Sequence, residues 1–210
     1  MRFAREALPF VLPLLALGLA GAFLGWKRAA FGLLVAALGV LLFFRIPHRS
    51  ATAAPGVVLA PANGVITKID RAEEASLGAE PAQRIVIFLS VFDVHVQRAP
   101  VGGRVVESIY TPGRKVAAFR ADAGEVNENH WTVIADAAGR KFGVRQIAGL
   151  LARRVVTYLE TGRAVERGEL IGLIKFGSRV DLYVPADYRL EVRPGQKMID
   201  GETVIARPAD

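Results

Sequence analysis

The chain contains no cysteine. That excludes a disulfide scaffold, a thiolate metal site and a cysteine nucleophile. Histidine is almost as scarce, with only His48, His95 and His130, which leaves little room for a histidine-rich metal centre. Acidic residues are nearly missing from the first 50 positions, where Glu6 stands against Arg2, Arg5, Lys27, Arg28, Arg45 and Arg49. After residue 50 the charges almost balance, with 21 basic and 19 acidic residues. The positive excess therefore lies beside apolar sequence, which points to a membrane surface. No basic stripe interleaved with aromatics follows, so nucleic acid is not an expected partner.

Apolar residues are abundant, at 52% of 210, enough for a domain with its own core and further segments. Ala7–Trp26 runs for 20 residues without a charge and Ala29–Phe44 for 16. The first matches the roughly 20 residues that cross a bilayer core. The second gives about 24 Å of helix and can span with bilayer thinning and snorkelling of Arg28 and Arg45. Polar positions at helical period, expected of a buried soluble hairpin, are absent. No A-x-A-like cleavage site follows the first run, as a signal peptide would need. The expectation is a membrane-anchoring helical hairpin over residues 1–49, turning at Gly25–Arg28. More cations flank its ends than its turn, which predicts both ends inside.

Ser50–Pro55 reads as a linker into a second region, 50–210, that is mainly β. Strands are predicted at Val57–Ala60, Gly64–Ile69, Arg84–Leu89, Gly103–Ile109, Trp131–Ala135, Lys141–Gln146 and Val155–Glu160, with Asp122–Asn129 as a loop. One internal repeat is present. Gly162-Arg-Ala-Val-Glu-Arg-Gly168-Glu-Leu-Ile and Gly195-Gln-Lys-Met-Ile-Asp-Gly201-Glu-Thr-Val share a six-residue glycine spacing and a Gly-Glu step. Glycine supplies tight turns between short strands, and such repeats are similar to those of barrel-sandwich hybrids, the architecture of lipoyl and biotinyl carriers. Lys175 lies between the repeats, but within Ile174-Lys175-Phe176-Gly177 rather than on an acidic hairpin tip.

Three further segments are distinctive: Lys175-Phe-Gly177-Ser178-Arg-Val-Asp-Leu-Tyr-Val-Pro185, Phe92-Asp-Val-His95-Val-Gln-Arg98-Ala-Pro100, and Gln146-Ile-Ala-Gly-Leu-Leu-Ala-Arg-Arg154. A Gly-Ser dipeptide alone reads as an ordinary turn. With the other segments and Leu59-Ala-Pro-Ala-Asn63-Gly64, the chain resembles phosphatidylserine decarboxylases of the short proenzyme class, from about Leu59 to Ala206.

The resemblance implies self-cleavage between Gly177 and Ser178 into a β chain, 1–177, and an α chain, 178–210. Ser178 would become a covalent pyruvoyl group, with no metal. Phosphatidylserine would form a Schiff base with it, lose CO₂ and leave as phosphatidylethanolamine. An electron sink is what amino-acid decarboxylation requires. His95 is the expected acid and base, since both of its protonation states are accessible near neutrality. Arg98 stands where longer relatives have a second histidine; with Arg153 and Arg154 it is expected to hold substrate phosphate or carboxylate. Asn63 stands where the family has an aspartate that is thought to orient the histidine, and Asp93 is expected to compensate. His48 and His130 are expected at the surface. The implied partners are phosphatidylserine, the bilayer and the β/α heterodimer. The implied location is the inner cell membrane, with the catalytic domain in the cytoplasm. Two other readings stay open: a non-catalytic membrane-anchored barrel-sandwich adaptor, and a decarboxylase of another serine phospholipid such as archaetidylserine.

Overall fold

In a computed structural model the chain divides into two units, residues 1–48 and 49–210. The structure describes residues 1–51, 54–114, 116–118, 120, 122–150, 154–175 and 178–209. The first unit runs β1 (Arg2–Phe3), a 3-10 turn at Arg5–Ala7, α1 (Leu8–Phe23), α2 (Lys27–Phe43) and β2 (Arg45–Ile46). β1 and β2 pair antiparallel, Arg2 opposite Ile46, so the chain enters and leaves this unit side by side. The helices approach closely through small residues. A Cβ placed on Gly18 would lie 3.3 Å from Leu34, and one on Gly21 3.8 Å from Ala30. This is how helices associate when apolar burial alone gives no drive. Leu12, Leu17, Leu19, Phe23, Phe31, Val35 and Leu38 are exposed, a surface that water does not favour. The segment Arg5–Phe23 is long and apolar enough to cross a membrane.

The second unit is mainly β. Its strands are β3 (Val58–Leu59), β4 (Gly64–Ala72), β5 (Ala82–Leu89), β6 (Val96–Arg98), β7 (Gly103–Thr111), β8 (Asn129–Ala135), β9 (Lys141–Ala148), β10 (Val155–Thr157), β11 (Ala164–Val165), β12 (Leu170–Ile174), β13 (Ser178–Val184), β14 (Tyr188–Leu190), β15 (Lys197–Met198) and β16 (Val204–Pro208). One short helix, α3 (Ala123–Val126), interrupts the loop predicted at 122–129, and β8 takes up its last residue, Asn129. The predicted strands are present, five of them extended by two or three residues, while Val57–Ala60 shortens to Val58–Leu59 and Val155–Glu160 to Val155–Thr157. Eight strands form one sheet in the order β11-β7-β8-β9-β13-β5-β4-β15; β10-β12-β6 and β14-β16-β3 form two smaller ones.

β13 is central and all seven of its residues are buried. It pairs antiparallel with β5 over seven positions and with β9 over six. Strand alternation sends Val180, Leu182 and Val184 into the main core and Tyr183 into a second cluster with Trp131 and Val133. On that second face Arg179 and Asp181 form a buried bidentate pair at 2.6 and 2.7 Å. Removing one partner of such a pair leaves an uncompensated charge and costs about 3–5 kcal/mol.

The repeat noted in the sequence is structural. Each copy begins with a strand two residues after its first glycine, at Ala164 and Lys197, and resumes at Leu170 and Val204. All four glycines are left-handed, with φ of 92° and 79° in the first copy and 86° and 70° in the second, a region that side chains with a Cβ rarely enter.

His130 is not a surface residue. It is 3% exposed, because the period of two along β8 places it on the face of Ile134, which packs into the core. Ser108 Oγ lies 3.3 Å from its Nε2 and Thr132 Oγ1 3.2 Å from its Nδ1. Burial pushes the imidazole down to about 4 from its ordinary 6.5. His48 is exposed, as predicted.

Between pH 6.5 and 4 the unfolded chain therefore binds a proton at His130 that the folded chain does not. Stability rises with pH wherever the unfolded state holds more protons. The contribution of His130 is full above pH 6.5 and falls as the pH drops toward 4, by up to about 3 kcal/mol. Chemical denaturation at pH 7 and pH 4.5 should show this loss, and His130→Gln should make the pH dependence shallower.

Candidate functional site

Strand register gathers the candidate residues at one edge of the large sheet. Ser178 opens β13, opposite Leu89 at the end of β5 and Ala148 at the end of β9. Gly64 opens β4 at the same edge, directly after Asn63. From Leu89 the chain runs through Ser90 and Asp93 to His95, then into β6. The β6 strand lies on β12, and the Ile174 N–H donates to the His95 carbonyl at 3.1 Å. His95 is thus tied to the strand that leads into Ser178.

Ser178 is fully buried. Among the described residues its Oγ has no hydrogen-bond partner. An orphaned buried hydroxyl costs about 1–3 kcal/mol of desolvation, and a native structure that carries one calls for a reason. Gly177, on the other side of the predicted scissile bond, and Arg153 lie outside the described residues.

His95 is 2% exposed, and its Nδ1 lies 2.9 Å from the Asp93 carbonyl. A carbonyl only accepts, so Nδ1 carries the hydrogen, and in the neutral ring Nε2 is the basic nitrogen. The backbone of His95 is held by a short relay of amides. Gln97 Nε2 donates to the His95 carbonyl at 2.9 Å, and Gln146 Nε2 donates to Gln97 Oε1 at 2.8 Å. Both glutamines are buried. Gln146 is conspicuous in the sequence without a derivable role; in the structure its amide braces the histidine through Gln97.

The Asp93 carboxylate is not on the imidazole. Its Oδ2 accepts from Ser90 N–H and Ser90 Oγ, each at 2.8 Å, which closes the turn. Asp93 therefore orients His95 through its backbone oxygen.

Asn63 and Arg98 meet on a residue that sequence reasoning misses. Asp200 is fully buried. Its Oδ1 accepts from Arg49 Nε at 3.1 Å and Nη2 at 2.8 Å, its Oδ2 from Arg98 Nε at 2.8 Å. Asn63 Nδ2 also donates to Oδ1. The carboxylate can only accept, which fixes the orientation of the Asn63 amide. Arg98 Nη1 donates to the Gly168 carbonyl at 2.9 Å, so two faces of its guanidinium are engaged within the fold. The available sequence signal is weak: Asp200 occupies the place in the second repeat that Arg167 holds in the first. Arg154 is exposed at the start of β10, and its carbonyl accepts the Lys175 N–H at 3.1 Å. Lys175 itself is half-buried at the end of β12 rather than on an exposed tip.

A cavity of about 430 Å³ opens beside these groups, lined by Asn63, Phe88, Ser90, Asp93, Lys197 and Ile199 among others. No group of three or more His, Asp or Glu able to hold a metal ion is found among the described residues. Chemically the edge offers a buried hydroxyl, a basic imidazole nitrogen with a fixed tautomer, and a carboxylate buffered by two guanidinium groups.

The sequence profile of the family described as phosphatidylserine decarboxylase matches residues 37–206, beginning before the Leu59 start of the resemblance. A phosphatidylserine decarboxylase proenzyme of Rhodococcus erythropolis is 50% identical over 203 residues, covering 95% of this chain and 85% of the relative. Those of Symbiobacterium thermophilum and Desulfotalea psychrophila are 42% and 40% identical, each covering 97% of this chain and 94% and 95% of the relative.

The partner of Asn63 changes what a carboxylate at that position would do. Asn63→Asp would set a second carboxylate against Asp200, and the pair would hold a proton that the unfolded chain gives up. A raised folded pKa makes stability fall as pH rises, so the variant should be about 1–3 kcal/mol less stable than wild type at pH 7 and closer to it at pH 5. Asn63→Asp with Asp200→Asn should not recover the loss, because an amide nitrogen at position 200 turned toward position 63 would also face the Arg49 donors. Denaturant midpoints of the three proteins at both pH values check this.

Proposed function

The chain belongs to the phosphatidylserine decarboxylase family, and on that premise we propose that it is a self-processing decarboxylase of phosphatidylserine. The observation that carries the proposal is the buried Ser178 Oγ at the head of β13, without a hydrogen-bond partner among the described residues. It suits a serine that is consumed by chemistry rather than kept for structure. His95 Nε2 takes the hydroxyl proton and Oγ attacks the Gly177 carbonyl carbon. The Gly177–Ser178 amide becomes an ester, and the freed Ser178 nitrogen takes up a proton as an amine. Loss of the Ser178 Cα proton breaks the Cβ–Oγ bond and releases Gly177 as a carboxylate. The dehydroalanine left behind tautomerises and adds water, and ammonia departs, leaving a pyruvoyl end on the α chain.

The pyruvoyl group supplies an electron sink for the pair left on the substrate Cα when CO₂ departs. In our reading the protein's own residues do the rest. His95 returns a proton to the substrate Cα. The Asp93 carbonyl holds the His95 tautomer, and Gln97 and Gln146 hold its backbone. Arg98, Arg49 and Asn63 all donate to Asp200, which leaves Asn63 Oδ1 available as an acceptor. Arg154, exposed before β10, is our choice for the substrate phosphate, with Arg153 beside it in the sequence.

The α chain would stay in place after cleavage, because β13 is bonded on both sides and β15 and β16 pair with β4 and β3. This supports a β/α heterodimer. We read the first unit as a transmembrane hairpin with both ends cytoplasmic, in the inner membrane, and the second as a barrel-sandwich-like domain that meets the lipid at the headgroup plane.

Intact mass spectrometry of the purified protein should find two polypeptides, 1–177 and 178–210, the second blocked by pyruvoyl. Ser178→Ala should remain one chain and release no CO₂ from phosphatidylserine. A wild-type chain that turns over phosphatidylserine without cleavage would overturn the mechanism. The full-length protein should also stay with the membrane in alkaline carbonate and leave it only in detergent.

A further inference from the structure

The strand ends that carry Ser178 and Asn63 also carry exposed apolar side chains. Two residues past the end of β9, Leu150 is 65% exposed; just past β5, Val91 is 44% and Phe92 85% exposed; just past β15, Ile199 is 42% exposed. Register places them together. Ala148, Ser178 and Leu89 are aligned across β9, β13 and β5, and Gly64 and Met198 across β4 and β15. The four therefore border one edge of one sheet. Ile199 also lines the cavity that holds Asn63 and Asp93. The same edge presents exposed Lys197, and exposed Arg154 stands before β10 in the neighbouring three-stranded sheet, its carbonyl bonded to Lys175 where β12 ends. At the opposite edge, the turns after β4 and β13 expose Glu73, Glu80 and Asp187, beside exposed Arg71 and Lys141.

Apolar tips with cations beside them at one edge, and exposed acids in turns of the other, match a surface lined by phosphates over hydrocarbon. Phe92 has the amphipathic setting expected at such a boundary: an apolar ring in a short turn whose polar groups are satisfied by Asp93 and Ser90. We propose that this edge of the β domain docks on the bilayer surface, with Val91, Phe92, Leu150 and Ile199 entering below the headgroups and Arg154 and Lys197 at the phosphate level. The proposal rests on the reading of the substrate as a membrane phospholipid. It goes beyond that reading in assigning a second membrane contact, made by the catalytic unit itself and apart from the N-terminal helices. Docking lets the headgroup rise toward Ser178 while the acyl chains stay in the bilayer.

The absence of cysteine makes the test direct. Single cysteines replace Phe92, Leu150 or, as a control in the β8–β9 turn at the opposite edge, Ala137. Each full-length protein is labelled with an environment-sensitive fluorophore and reconstituted in vesicles of phosphatidylcholine and phosphatidylserine. Positions 92 and 150 should emit at shorter wavelength than 137 and be quenched by nitroxide-bearing lipids. Labels at 92 and 150 that behave like 137 overturn the proposal. So does a blue shift that nitroxide lipids fail to quench, which would mean that a second copy of the chain covers the edge. In a parallel measurement, Phe92→Ser should lower the ratio of turnover on bilayer phosphatidylserine to turnover on a monomeric short-chain analogue by roughly tenfold, the scale of one lost apolar anchor. An unchanged ratio overturns the proposal. Quenching at 92 and 150 in a protein that decarboxylates neither substrate supports the docking edge and overturns the activity reading.

Discussion

The arrangement of this protein depends on one strand being paired on both sides. β13 carries Ser178 at its first position and is bonded to β5 and β9 along its length. Two flanking ladders hold the backbone of Ser178 rigidly while leaving its hydroxyl without a partner among the described residues. That combination is costly for a serine that does no chemistry, because burial removes water from the hydroxyl and the ladders prevent it from moving to find another acceptor. Under the proposed cleavage, the same ladders would hold the strand in place: a cut before β13 would remove one covalent bond and none of the strand's pairing.

A second constraint concerns charge. Asp93, the carboxylate nearest His95 in the sequence, uses its side chain to close its own turn. The buried carboxylate nearby is Asp200, and it is surrounded by donors from three distant stretches of chain: Arg49 before the first strand of the β unit, Asn63 before β4, and Arg98 at the end of β6. A buried carboxylate is tolerable only when such donors surround it. The consequence for Asn63 is geometric. With its amide nitrogen committed to Asp200, its carbonyl oxygen points elsewhere, and the side chain acts as an oriented acceptor without a charge of its own. This chain therefore has an amide at position 63 and a buried carboxylate one hydrogen bond further away, at position 200.

Legibility in the sequence divides along physical lines. Strands with clean alternation or continuous apolar runs, such as Arg84–Leu89 and Lys141–Gln146, are readable because their burial is encoded locally. The glycine repeat is readable because a left-handed turn leaves few alternatives to glycine. β13 stands out for its Gly-Ser step but does not read as a strand, since Arg179 and Asp181 look like surface residues until they are seen to pair with each other across one face. His130 is misread for the same reason. A polar residue in an apolar strand is placed by its neighbours' periodicity, and Thr132 and Ser108 satisfy it in the core. Asp200 has almost no local signal, because what buries it arrives from residues 49, 63 and 98.

Those misses have a common form that bears on how the site works. In each case polar groups that look solvent-facing in sequence satisfy one another inside the fold: Arg179 with Asp181, His130 with Ser108 and Thr132, Asp200 with Arg49 and Arg98. Of the buried candidate residues whose side chains are described, Ser178 alone breaks this pattern by having nothing to bond to. Around it the other polar side chains are fixed: the imidazole by a backbone oxygen, the asparagine by a carboxylate, the guanidinium by that same carboxylate and a carbonyl. In the proposed reaction such a centre would need little rearrangement, because the groups that must stay still are already held by partners other than the reacting atom. The Ser178 hydroxyl is the group whose hydrogen bond would be left to be made.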